Sequence, residues 1–139
     1  MKIMKPIMNS QIGKIYNVIV PYYERKTNRT LVKARPCMIL AEPQGNDKEY
    51  VILPISSSLN KTYYDERFDI LLCKEEYPKL ELMKDSYLRT HKQTTAYEAN
   101  IDFKHCLGDL KNEYPDMFSI ILDKVKEYDD FKIESSRFL

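Results

Sequence analysis

The sequence predicts a small, strongly bent β-sheet or barrel that carries helices and ends on one of them. Short runs rich in β-branched and aromatic residues recur along the chain, separated by polar, proline- or glycine-containing breaks. After Pro115, Phe118, Ile121, Leu122 and Val125 fall at i, i+3, i+4 and i+7, one face of a helix. The chain has 139 residues, 43% hydrophobic and 31% charged, which suits one compact soluble domain, residues 1–139, rather than two.

The elements follow in order. Residues 1–12 read as a flexible N-terminal extension; Lys2 and Lys5 interrupt the methionines, so the start makes a poor signal peptide. GKIYNVIVPYY, from Gly13, alternates partly and reads as a strand ending at a proline. ERKTNRTLVK has no apolar period and reads as a polar loop. RPCMILAE and EYVILPI flank the turn-rich PQGND and predict an antiparallel pair, with Pro54 ending or bending the second strand. RFDILLC is a further strand, EEYPKLELMKD a short helix or a loop broken by Pro78, and SYLRTHKQTT begins as a strand. IDFKHCLGDL is ambiguous between strand and turn. Pro115 and Asp116 suit the first turn of the closing helix, Tyr128 extends its stripe, and residues 130–139 read as a tail.

Composition excludes several classes. No apolar run approaches the roughly 18 residues a membrane span needs, so a cytoplasmic protein is expected. Cys37, Cys73 and Cys106 are odd in number and far apart, which argues against a disulfide framework; all three are expected as buried small hydrophobes. His105-Cys106 lacks the further ligands of a structural zinc site, so no metal and no cofactor is expected. With Gly13, Gly45 and Gly108 the only glycines, a phosphate-cradling loop is excluded, and no GxSxG or HExxH pattern occurs. Net charge is +1, but the chain is basic up to Pro36, where Glu24 is the only acid, and acidic from Asp109 on. Such asymmetry marks either a polyanion-binding face or a solvated charged loop.

Three places carry candidate chemistry. Arg35 offers a planar, permanently charged fork that matches two phosphate oxygens, and Pro36 holds it to extended backbone. The alternative is a surface arginine at a strand end. Ser56 follows VILPI; if the strands around PQGND pair, Ser56 and Arg35 reach the same edge, although a serine cluster after a strand is also ordinary loop. Arg89 and His91, at i and i+2 of a strand, share a face, and a histidine can give or take a proton near neutrality or serve structure alone.

At these residues the sequence resembles the MazF/PemK family, the mRNA interferase toxins of bacterial toxin-antitoxin pairs. The resemblance runs in order over GKIYNVIVP, KARPCMIL, LPISS, SYLRTHKQTT and CLGDL, roughly Gly13 to Tyr128, and RPCMIL with LPIS is its most specific part. It implies an SH3-like, strongly curved β-barrel of the CcdB/PemK type with a C-terminal helix. It implies a homodimer, a single-stranded mRNA substrate cut without metal through its own 2′-hydroxyl, and a cognate antitoxin whose disordered acidic segment fills the RNA groove. By position Arg35 matches the family's catalytic arginine and Ser56 its hydroxyl residue. Arg89 and His91 fall where some members carry a base and an acid two apart, His91 replacing the carboxylate as the candidate acid or base. Arg25, Lys26, Arg29 and Lys33 belong to the substrate-facing first loop; Ser57 and Arg89 join the substrate contacts, and Tyr22 or Tyr23 could stack on bases. Toxins of the same fold that inhibit DNA gyrase, and an inactive RNA- or protein-binding barrel, are the alternatives; the tail KIESSRFL lacks the tryptophan-rich character of gyrase binders.

Overall fold

A computed structural model describes residues 10–57 and 63–139. Its strands are β1 (Lys14–Glu24), β2 (Arg29–Ala41), β3 (Glu49–Ser56), β4 (Asp69–Leu72), β5 (Ser86–Arg89), β6 (Thr94–Tyr97) and β7 (Gly108–Asp109), followed by helices α1 (Leu110–Glu113) and α2 (Pro115–Phe138). The strands form one antiparallel sheet in the order β4-β5-β3-β2-β1-β7, and β6 also pairs with β3. The sheet curls strongly into a half-barrel, and the C-terminal helix covers part of it.

Strand alternation divides the core in two. Ile15, Met38, Leu53 and Ile55 point to one side, where Phe118, Ile121 and Val125 of α2 cover them. Tyr16, Val18, Cys37, Ile39 and Ile52 point to the other, against Ala96 and Ile101. The expected helical stripe therefore packs as read except at Leu122, which is 40% exposed. Tyr128 does extend it, edge-on to Phe68 with ring centroids 5.0 Å apart.

The prolines mark where the sheet changes neighbours. β3 pairs with β6 from Glu49 to Ile52 and with β5 at Ile55 and Ser56, so Pro54 falls where one outer neighbour gives way to the other. A residue with no N–H to donate suits that gap. Pro54 thus does not end the strand, which runs on to Ser56.

Several expectations are corrected. ERKTNRTLVK is not a loop: β1 and β2 stay paired out to Glu24↔Arg29, so only Arg25–Asn28 turns, with Asn28 at φ 56°. This makes a projecting two-stranded arm whose Ile19, Tyr23 and Val32 are exposed. EEYPKLELMKD is a series of turns, and SYLRTHKQTT divides into β5 and β6. Residues 130–138 continue α2 and are not a loose tail; Lys126–Asp130 and Lys132–Asp129 pairs, 2.8 and 3.4 Å, lie along that stretch. Within the expected N-terminal extension, residues 1–9 lie outside the described residues. Residues 10–12 are pinned: Gln11 N donates to Glu42 Oε1 at 2.6 Å, and Ile12 packs on the core. Of the cysteines only Cys37 is buried, and burial pushes its thiol up to about 12; Cys73 is half-buried and Cys106 exposed. Among the described residues no helix is long and apolar enough to cross a membrane.

Candidate functional site

Arg35 and Ser56 meet because of the strand register. The last ladder pair between β2 and β3 is Cys37↔Pro54, and stepping two residues onward along each strand leads to Arg35 and Ser56. There the strands diverge, and both residues line one cavity of about 630 Å³. Ser56 is buried and Arg35 half-buried, while Lys33 of β2 and Ser57, which follows β3, are exposed. Asn17 of β1, paired to Pro36, adds an amide to the same wall. Lys84 faces in from the turn before β5, so Lys33, Arg35 and Lys84 give the cavity a cationic lining. A guanidinium, two ammonium groups and the hydroxyls of Ser56, Ser57 and Ser86 outnumber the one carboxylate of the lining, Glu81, and groups of this kind can surround phosphate oxygens with charge-assisted hydrogen bonds.

Sequence reading missed two further members of this lining, Glu81 and His105. His105 Nε2 lies 2.7 Å from Glu81 Oε2. Leu80 and Leu82 are buried on either side of Glu81, which turns its carboxylate outward. Glu81 N donates to Leu107 O at 2.7 Å and Leu107 N donates to Ile15 O at 2.8 Å, so the 80–82 segment and the 105–107 segment are tied to each other and to β1. Gly108 permits that approach: a Cβ there would run into Leu80. Twenty-four residues separate the pair in sequence, with no shared period or motif to announce it.

Arg89 and His91 lie elsewhere. They line a second cavity of about 540 Å³, with Tyr63, Tyr64, Asp65 and Glu66, which shares no residue with the first. Asp69 organises this cluster. Its side chain is fully buried; Oδ1 accepts from Arg89 Nε at 3.0 Å and Oδ2 from Asp65 N at 2.7 Å. Arg89 Nη2 also donates to Tyr63 O at 2.8 Å. His91 has a side chain 8% exposed and an Nδ1 3.8 Å from Asp69 Oδ1, without a hydrogen-bond partner among the described residues. Burial lowers its pKa below the ordinary 6.5; Asp69 opposes that shift and Arg89 adds to it. Phe68 and Tyr128 pack around the ring, joining β4, β5 and α2. The cluster has the form of a structural knot.

Arg25, Lys26 and Arg29 sit at the exposed tip of the β1–β2 arm and line neither cavity. Arg25 stands 5.4 Å from the ring centroid of Tyr63, so the arm leans toward the second cavity's rim. Tyr22 and Tyr23 lie on opposite faces of β1 within the arm, Tyr23 exposed and Tyr22 half-buried. Among the described residues no group of three or more His, Cys, Asp or Glu is gathered as metal ligands are. Comparison with protein-family models and with curated proteins finds no match to this chain.

Proposed function

We propose that the protein is an endoribonuclease of the MazF/PemK kind, the toxin of a toxin-antitoxin pair, cutting single-stranded mRNA at the cavity formed by β2 and β3. The observation that carries this reading is the convergence of Arg35, Ser56 and Lys33 in one cationic cavity. RNA needs no external nucleophile, because its 2′-hydroxyl attacks the adjacent phosphorus. The enzyme's task is to hold the phosphate, stabilise the extra negative charge of the phosphorane and manage two proton transfers. Arg35 is assigned the equatorial phosphate oxygens, Ser56 a hydrogen bond to the scissile phosphate, and Lys33 with Ser57 the flanking backbone. The same reading includes an SH3-like barrel of the CcdB/PemK type acting in the cytoplasm, a homodimer, and an antitoxin whose acidic, disordered segment competes with RNA for the basic lining.

The test is incubation of the purified protein with a long single-stranded RNA in excess chelator. Cleavage should persist and leave a 2′,3′-cyclic phosphate and a 5′-hydroxyl, and a substrate with 2′-deoxyribose at the cut should resist. Cutting of the deoxy substrate would refute the mechanism. A folded protein that binds RNA and leaves it intact would favour the inactive-barrel alternative.

A further inference from the structure

We infer that His105, oriented by Glu81, donates the proton to the departing 5′-oxygen; this assignment rests on the ribonuclease reading above. Both side chains line the cavity that holds Arg35 and Ser56, and their 2.7 Å contact fixes the ring. The alternative use of the pair, a solvated surface contact, leaves its place in the cavity lining unused: the side chains are 61% and 58% exposed, so solvent and a bound chain both reach them.

The assignment follows from which cavity groups can release a proton. Guanidinium and ammonium groups give up protons only well above neutral pH, and an ordinary carboxylate near pH 7 has none to give. That leaves Arg35, Lys33 and Lys84 to hold the phosphate, and Glu81 to accept the hydrogen bond from His105. An imidazole ring can give or take a proton, and His105 is the one histidine on this cavity. Its Nε2–H donates to the Glu81 carboxylate, which leaves the Nδ1 proton for transfer. Of the charged groups that share the cavity, Glu81 contacts it, and Lys84 from the turn before β5 and Lys33 and Arg35 from β2 complete the set. Along its own segment Lys104 and Cys106 flank it.

The step balances as a transesterification. The 2′-oxygen forms a bond to phosphorus and its proton passes to water. The bond from phosphorus to the 5′-oxygen breaks, its electron pair goes to that oxygen, and the oxygen takes the proton from His105 Nδ1. Solvent then reprotonates the neutral ring. Glu81 is a positioning residue: it holds the ring and balances its charge without touching the RNA.

Leaving-group chemistry provides the test. Once a cut site has been mapped on long RNA, two ribo-oligonucleotides are made with that site, one with the natural 5′-oxygen and one with a bridging 5′-sulfur. A thiolate leaves without protonation. His105→Gln should cut the oxygen substrate roughly a hundred- to ten-thousand-fold more slowly and lose the limb of the pH profile on which activity falls as pH rises. It should cut the sulfur substrate at close to the wild-type rate. Glu81→Gln should show a smaller loss, a displaced pH limb and the same rescue, with affinity for an all-deoxy analogue unchanged. Equal losses on both substrates, or no loss on either, would overturn the assignment while leaving the ribonuclease reading standing. A wild-type protein that cuts no RNA would overturn that reading and this inference together. Both side chains are exposed, so circular dichroism should confirm that either variant folds.

Discussion

At the scale of single residues, two arginines of similar appearance in the sequence carry different loads. Arg35 is half-buried in the cationic cavity, whereas Arg89 is consumed by a 3.0 Å bond to the fully buried Asp69. Arg35→Ala should therefore reduce cleavage by about a hundredfold or more with the thermal midpoint nearly unchanged, and lysine should rescue poorly because it lacks the planar fork. Normal cutting by the alanine variant would remove Arg35 from the mechanism. His91 lines the other cavity, and its burial can be read through stability. Its folded-state pKa is lowered, chiefly by burial, so the unfolded chain binds more protons between the folded value and the ordinary 6.5. The contribution is complete above pH 6.5 and is lost as pH falls toward the folded pKa. The thermal midpoint should drop on acidifying through this window, and His91→Phe, which keeps an aromatic ring between Phe68 and Tyr128, should flatten that part of the curve. An unchanged slope would mean that the ring does not titrate there.

At the scale of elements, the sequence was most legible where burial imposes a period. The stripe Phe118, Ile121, Val125 reported directly on the face that packs into one core, whereas the unbroken apolar run Cys37, Met38, Ile39 marked a strand without showing that its side chains divide between two cores. Legibility failed where ERKTNRTLVK continues the arm, because from Arg29 to Ala34 only Leu31 is even half-buried and no buried side imposes alternation, so its charged residues read as loop. It failed again at Glu81 and His105, which meet through the backbone bond from Glu81 N to Leu107 O, an interaction no side-chain pattern encodes. The Arg35–Ser56 meeting was readable because two strands paired around one turn bring the start of one and the end of the other to the same edge, while the register shift between Ile39 and Ala41 left no mark in the sequence. Gly13 is where this arrangement is most sensitive to a single methyl group. It sits at φ +86°, donates to Ile39 O at 2.8 Å and accepts from Leu110 N at 2.8 Å, so it joins β2 to the start of α1. A Cβ there would lie 2.5 Å from Lys111 Cβ. The left-handed backbone alone costs an L-residue about 1 kcal/mol, and the clash adds to it. Gly13→Ala should lower the thermal midpoint by roughly 5–10 °C, and an unshifted midpoint would mean that α1 moves aside freely.

At the scale of the whole molecule, net charge +1 conceals a division of labour between arm and cavity. Arg25, Lys26 and Arg29 cluster at the arm's tip, outside both cavities, while Lys33 and Arg35 on the same β2 strand line the first one. A flexible polyanion bound in that cavity would run along β2 past Lys33 to reach the tip, which leans toward the second cavity's rim, so the tip should contribute to holding the chain and contribute little to the chemical step. The two roles separate through salt. Each phosphate neutralised on a single strand adds about 0.7 to the slope of log affinity against log salt. Replacing Arg25, Lys26 and Arg29 by serine should lower that slope by roughly 2 and weaken binding of a non-cleavable deoxy strand on the order of a hundredfold at 0.1 M salt. The single-turnover rate at saturating RNA should stay near wild type, because the groups around the scissile phosphate are untouched. Arg35→Ala should do the reverse, changing the slope by less than one while removing the rate. An unchanged salt slope in the triple variant would place the RNA path away from the arm, and a lost saturating rate would mean that the tip reaches the reacting phosphate.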